Sequence, residues 1–354
     1  MSLKTIELKN NNQVSIKVLN YGAKIMSIKT PDKYGNIGEI VLGYSRAEEY
    51  IEGNPYFGAT VGRCANRISK GRFSLDGKDY QLEQNVGDDH LHGGPTGFHQ
   101  VNWEMDDLKT ENGIQTVRLS YLSADGHEGY PGNLKVNVKY SLNDDNELSI
   151  EYQAETDKTT IVNMAHHSFF NLKDGGKSDI NTHLLKLNAN TYTPMNQSMI
   201  PTGEIKTVMN TAMDFTSLHK IGDRINDNYE QLIIGKGYDH NYVLDKPINT
   251  LAKAAEIVEP ETGRAMEVYT TQAGIQFYTG NFLDGSDSDS SGFPFQFRSA
   301  FCLETQAFPD SPNNNNFPSI ELKPGEIYYQ KTIYKFITSI PGTAILNDYK
   351  KQKL

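Results

Sequence analysis

Four short stretches of the 354-residue chain gather side chains that move protons or hold polar ligands. The first, His90-Leu91-His92-Gly93-Gly94, sets two imidazoles two residues apart, and on a strand these would share one face. Such a pair suits a metal, a turn with solvated histidines or a ligand site, although no third and fourth ligand follow at zinc-type spacing. The glycine pair lets backbone run close to whatever lies beside His92, which favours a ligand site. The second stretch is Asn163-Met164-Ala165-His166-His167-Ser168-Phe169-Phe170-Asn171-Leu172. Its adjacent histidines point to opposite faces of a strand, so one can serve a site, while a histidine among aromatics is equally a satisfied core residue. The third, Gly237-Tyr238-Asp239-His240-Asn241-Tyr242, supplies a carboxylate for a ligand or for a turn in which Asp accepts backbone N–H groups. In the fourth, Phe301 to Pro312, Glu304 lies in a mostly apolar, strand-like run. Burying a carboxylate there is costly without a partner or a task, so Glu304 is the best single candidate for a general base.

Gly58 to Ile68 adds Arg63 and Arg67, flanked by small residues, either as donors to ligand hydroxyls or as members of structural ion pairs. One apparent metal site closes on inspection. Asp287-Ser288-Asp289-Ser290-Ser291-Gly292 opens like a calcium loop, but its twelfth position is Arg298, where Glu is required.

The elements that must position these groups are strands. Val14–Val18, Val117–Tyr121, Leu134–Tyr140 and Leu148–Tyr152 alternate apolar and polar residues, the period of a half-buried antiparallel strand. Turn signals punctuate the runs at Asp32–Gly35, Asp76-Gly77, Asn112-Gly113 and Asn143–Asn146. Asp76-Gly77 predicts a two-residue hairpin, and Leu134 to Tyr152 a second hairpin. Short helices are expected near Ser45–Tyr50 and Thr216–Ile225; Asp284–Gly292 and Asn313–Asn316 read as exposed loops. With no fixed-period repeat and no linker-like shift, the chain reads as one all-β domain over residues 1–354. The expected architecture is a large antiparallel β-sandwich with few short helices.

Composition narrows the partners. The net charge of -10 argues against a nucleic-acid backbone or an anionic membrane as partner, and does not penalise a neutral ligand. No stretch approaches the ~18 apolar residues of a membrane span, and polar residues interrupt the N-terminus where a signal segment would be apolar, so a cytoplasmic location is expected. Cys64 and Cys302 form no metal-type pair and read as buried free thiols.

The order and wording of these stretches together are specific. Val61-Gly62-Arg63-Cys64-Ala65-Asn66-Arg67-Ile68, Leu91-His92-Gly93-Gly94, Asp125 to Gly132, His167 to Leu172, Asp239 to Tyr242, Gln276 to Phe282 and Leu303-Glu304-Thr305-Gln306 make the chain resemble the aldose 1-epimerase family over nearly its whole length. The resemblance implies a β-sandwich that interconverts the α and β anomers of hexoses such as galactose and glucose. It implies no cofactor and no metal, and a monomer or homodimer is expected. Position by position, it makes Glu304 the general base, His167 the general acid and His92 a second active-site histidine, with Asn66, Arg67, Ser168, Phe169, Asp239 and Gln276 at sugar-binding positions. One departure is Phe169, where the family usually has Tyr after His-Ser. Three other readings have their own signatures. A hexose 6-phosphate enzyme would need a basic cluster in the site. A glycosidase would use Asp239 and Glu304 as a carboxylate pair. A sugar-binding sandwich without activity would bind galactose and leave anomer exchange unchanged.

Overall fold

The computed structural model describes residues 2–338, so the ends of the expected domain, Met1 and 339–354, lie outside the described residues. Strands dominate and pair antiparallel. The largest sheet has ten strands, and its centre is the run of Ile114–Ser123, Leu134–Leu142, Glu147–Thr156, Tyr328–Thr338 and Arg264–Thr270. Along Leu134–Leu142 every second residue is buried, as the alternation predicts, and those residues meet strands of the other sheets in one core.

That core also takes Ile16, Val18 and Ile25 from a four-stranded N-terminal sheet, and Tyr242, Ile275, Phe277 and Leu303 from a five-stranded sheet. The five-stranded sheet runs Lys206–Thr207, Thr191–Tyr192, Asp239–Val243, Gly274–Tyr278 and Cys302–Gln306. The architecture is therefore sheet packed on sheet, the expected sandwich class.

Both expected hairpins form. Arg72–Leu75 pairs with Lys78–Gln81 through Asp76 and Gly77, whose positive φ values (52° and 72°) match the turn whose twist suits a two-residue hairpin. Leu134–Leu142 pairs with Glu147–Thr156, four residues beyond the expected end. The helix expectations fare less well. Near Ser45–Tyr50 the α-helical turn is Glu49–Glu52. Thr216–Ile225 holds no α-helix but the strand His219–Lys220 and a 3-10 turn, Ile221–Asp223. Ile221 and Gly222 donate their N–H groups to His183 and Asn181, so neighbouring chain takes bonds that a helix would keep for itself. Among the described residues the other α-helix is Glu230–Gly235, which sequence periodicity does not reveal.

Candidate active site

The five-stranded sheet explains how so polar a set of residues is buried. Asn241, Gln276 and Glu304 lie side by side across three strands, and Asp239, Tyr278 and Cys302 form the neighbouring row. Opposed residues, and residues two apart, share a face, so all six project from one side. The other side carries Tyr242, Ile275, Phe277 and Leu303 into the core. The alternation is real, but both faces are buried, so in sequence the strand reads as continuous.

Asp239, Tyr278 and Glu304 of this face line a cavity of about 440 Å³, within the range of small-molecule sites. Its wall includes Asn66, Arg67, His92, His167, Phe169, Asp239, Tyr278 and Glu304. His167 arrives on the strand Ala165–His167, which pairs with Ala59–Val61. As the strand geometry requires, its neighbour His166 turns the other way, beside Tyr140 and Tyr334, with Nε2 2.7 Å from Ser168 Oγ.

His167 Nε2 faces Glu304 Oε1 at 3.6 Å, both side chains almost fully buried. That separation is beyond a good hydrogen bond, and groups that serve as acid and base to one ligand need such a gap. Burial raises the Glu304 carboxyl well above its ordinary value; neighbouring Asp239 adds to the rise, and Arg67 opposes it. Burial lowers His167 to about 4. On the far side of the imidazole, Cys302 Sγ lies 3.6 Å from Nδ1. Burial pushes the thiol up, so it keeps its proton beside Nδ1, and Nε2 is the ring nitrogen that faces Glu304.

His92, His167 and Glu304 each bring a potential metal-ligand atom within 4.8 Å of the others. Their hydrogen bonds favour a different use. The Asn66 N–H donates to His92 Nδ1 at 3.1 Å, so the neutral ring must carry its proton on Nε2. A metal-bound histidine normally donates its other N–H outward. Here that nitrogen is an acceptor, and His92 offers the cavity an N–H donor in place of a lone pair. Burial holds His92 well below its ordinary value, so that donor is neutral.

The local chain explains this orientation. His92 has φ 53° and is followed by Gly93 and Gly94 with positive φ, where a Cβ on Gly93 would overlap the Gly62 carbonyl oxygen. Gly93 therefore accommodates another stretch of backbone and Gly94 the Glu128 side chain, not a ligand. The pair also ends the strand His90–Leu91, so His90 leaves in another direction, bonding the Glu83 carbonyl and Tyr130 Oη. The two histidines do not share a site.

Other expected residues divide similarly. Asp239 Oδ1 accepts from Gln276 Nε2 at 2.7 Å, which puts Gln276 beside the cavity wall, holding Asp239; its Oε1 is buried and makes no hydrogen bond among the described residues. Ser168 is not brought to the cavity, because its hydroxyl is engaged by His166. Among the described residues Arg63 is neither placed at the cavity wall nor a member of an ion pair. It is buried, and it donates to Ser123, Thr160 and the carbonyls of Ser123, Ala124, Pro131 and Gly132, clamping the Asp125–Gly132 loop. Tyr238, beside Asp239 in the third stretch, does not line the cavity; it packs on Phe277 and donates to the Ala212 carbonyl.

Sequence reasoning missed Tyr56, whose ring packs at 5.6 Å on His167 and 5.0 Å on His92. Buried Lys24, lowered by burial to about 7, donates to the Pro55 carbonyl directly before it. The available signal was Asn54-Pro55-Tyr56-Phe57-Gly58, an aromatic turn just ahead of the Ala59–Val61 strand. Met199 at the cavity wall carried no signal, and Phe282 entered only as the last residue of the Gln276 to Phe282 stretch.

A sheet sandwich with this cavity is the setting of a sugar epimerase, and the comparisons agree. The family model described as aldose 1-epimerase matches residues 4–335, and the chain belongs to that family. Over 326 residues it is 42% identical to a galactose mutarotase from Bos taurus, with 92% of each chain covered. Over 334 residues it is 36% identical to the aldose 1-epimerase of Escherichia coli (strain K12), with 94% of each covered. A crystal structure of an aldose epimerase homologue from C. elegans matches with a TM-score of 0.88 at 29% identity, covering 96% of this chain and 100% of that one. The chain is an isomerase, an aldose 1-epimerase.

Proposed function

We propose that the cavity opens and recloses the ring of hexoses such as galactose and glucose, with Glu304 as general base and His167 as general acid. The observation that carries this reading is the buried, unbonded approach of His167 Nε2 to Glu304 Oε1 at 3.6 Å in the cavity wall. Glu304 takes the proton of the C1 hydroxyl while His167 protonates the ring oxygen, and the C1–O5 bond breaks. The aldehyde rotates about C1–C2, and the same groups act in reverse on the other face. Burial alone works against the charged Glu–His pair. Arg67 and the sugar's hydroxyls work for it, since hydrogen bonds to a charged form favour that form. The ionised and neutral pairs hold the same number of protons, so sugar binding shifts one into the other without exchange with solvent.

His92 holds the sugar through its neutral Nε2–H. Asp239, positioned by Gln276, and Arg67 take hydroxyls, Asn66 fixes His92, and Phe169 with Tyr278 covers the apolar ring face. Arg67 is the one Arg or Lys in the cavity wall among the described residues, and its charge acts on both carboxylates. That favours a neutral sugar over a hexose phosphate.

We read the chain as one cytoplasmic domain, a monomer or homodimer, working without cofactor. The shared core from Leu8 to Phe336 supports one domain, and no helix among the described residues is long and apolar enough to cross a membrane. Polarimetry of fresh α-galactose and α-glucose is the test: the protein should speed approach to the anomeric equilibrium from either sugar. Binding without acceleration would refute the catalytic reading.

The Asp239 charge carries a pH prediction. A base whose pKa is raised loses activity, as pH falls, at a higher pH than the ordinary carboxylate value of about 4.3. Asp239→Asn removes the like charge, lowers the Glu304 pKa and should move the acid limb of kcat to lower pH, while KM rises from the lost sugar contact. An acid limb that stays in place would mean that Glu304 is not the group titrating there.

A further inference from the structure

Met199 stands in the cavity wall, yet the proton transfers make no use of it. It occupies a tight turn closed by the Met195–Pro201 bridge, in which the Asn196 side chain accepts the N–H groups of Ser198 and Ile200. Its φ of 60° lies in the left-handed region, where a long side chain is uncommon. The turn thereby commits the thioether to the cavity, where Arg67 Nη2 meets Sδ at 3.6 Å. The residue is half-buried and lines the cavity, so a small solute entering there meets its side chain. Met26, Met164, Met195, Met213 and Met266 are buried, whereas Met209 is 66% exposed and no part of this wall.

We propose that Met199 is an oxidation-sensitive modification site, at which hydrogen peroxide converts the thioether to a sulfoxide and draws Arg67 away from the sugar. This rests on the reading of Arg67 as a sugar-binding residue. The sulfur lone pair attacks the outer peroxide oxygen, the S–O bond forms and the O–O bond breaks. Sulfur is oxidised by two electrons, and the departing hydroxide takes the proton of the transferred oxygen to leave as water. A thioether is a weak acceptor; a sulfoxide oxygen is a strong one, and its bond to a guanidinium is charge-assisted. The same displacement removes the cation that favours the ionised form of Glu304.

The test treats the full chain with hydrogen peroxide, following galactose mutarotation by polarimetry and Met199 sulfoxide by peptide mass spectrometry. Each protein is normalised to its own untreated rate. The rate should fall by ~5-fold or more in step with Met199 sulfoxide, and methionine sulfoxide reductase should restore it. Saturating galactose should slow both changes. Met199→Leu should lose less than about twofold at the same dose, although Met209 still oxidises. Equal loss in Met199→Leu, or a full rate in protein whose Met199 is wholly sulfoxide, overturns the proposal. Untreated Arg67→Lys separates the underlying reading: a raised KM supports the route through Arg67, and an unchanged KM overturns that route even where oxidation silences the enzyme.

Discussion

Glu304→Gln is expected to lower kcat for anomer interconversion by ~10³-fold, within the range for loss of a positioned proton transfer. The amide keeps the shape of the side chain and one acceptor oxygen, so the sugar still binds and KM changes little. What disappears is the proton acceptor for the C1 hydroxyl, and no group in the wall replaces it. Asp239 is held by Gln276 in the neighbouring row, and His92 points a proton, not a lone pair, at the cavity. The same change should raise stability above neutral pH. A carboxyl whose folded pKa is raised holds its proton longer than in the unfolded chain, so wild-type stability falls as pH climbs from the ordinary carboxylate value through the raised one. Gln carries no such penalty. Thermal unfolding at pH 8 should give a Tm at or above that of the wild type, and kcat above a tenth of wild type would remove Glu304 from the base role.

His167→Gln is expected to cost kcat ~10²–10³-fold, again with a modest effect on KM. The imidazole is held on three sides, by Tyr56, by Phe169 and by the Cys302 thiol, with Nε2 toward Glu304. A glutamine amide in that slot can donate a hydrogen bond to the ring oxygen but cannot give up a proton. Because acid and base act in one step, Glu304→Gln with His167→Gln should be little slower than the worse single variant. Polarimetry of the three proteins decides it. Multiplying losses would show two independent contributions, and a loss under fivefold for His167→Gln would pass the acid role to His92.

Phe169 marks a departure from the family's usual residue. Its ring lies 4.9 Å from the His167 ring and 5.0 Å from Phe57, inside an aromatic cluster behind the acid. A tyrosine hydroxyl, usual in the family at this position, would need a partner there; phenylalanine needs none.

Sequence alone determined the period-two strands, the two hairpins with their turn residues, the all-β class and the ordered motifs that carry Glu304, His167, His92 and Asp239. These are local or pairwise signals: alternation along a strand, a turn needing positive φ, a carboxylate in an apolar run. The helix expectation at Thr216–Ile225 failed because bonds to His183 and Asn181, distant in sequence, claim the backbone. Roles inside the motifs were equally hidden. Arg63 and Arg67 look alike in sequence, yet one clamps a loop while the other faces the cavity; Ser168 is spent on His166, and Tyr56 arrives from a loop marked by an aromatic turn alone.

Only the tertiary structure decided that Asp239, Gln276 and Glu304 share one face, because the register of three strands, not their spacing along the chain, sets that alignment. It also decided that His92 presents a proton where a lone pair would invite a metal, since a backbone N–H twenty-six residues away takes the other nitrogen. A side chain's type limits what chemistry it can do. Which of those options it takes depends on the groups that folding places against it, and these come from remote parts of the chain.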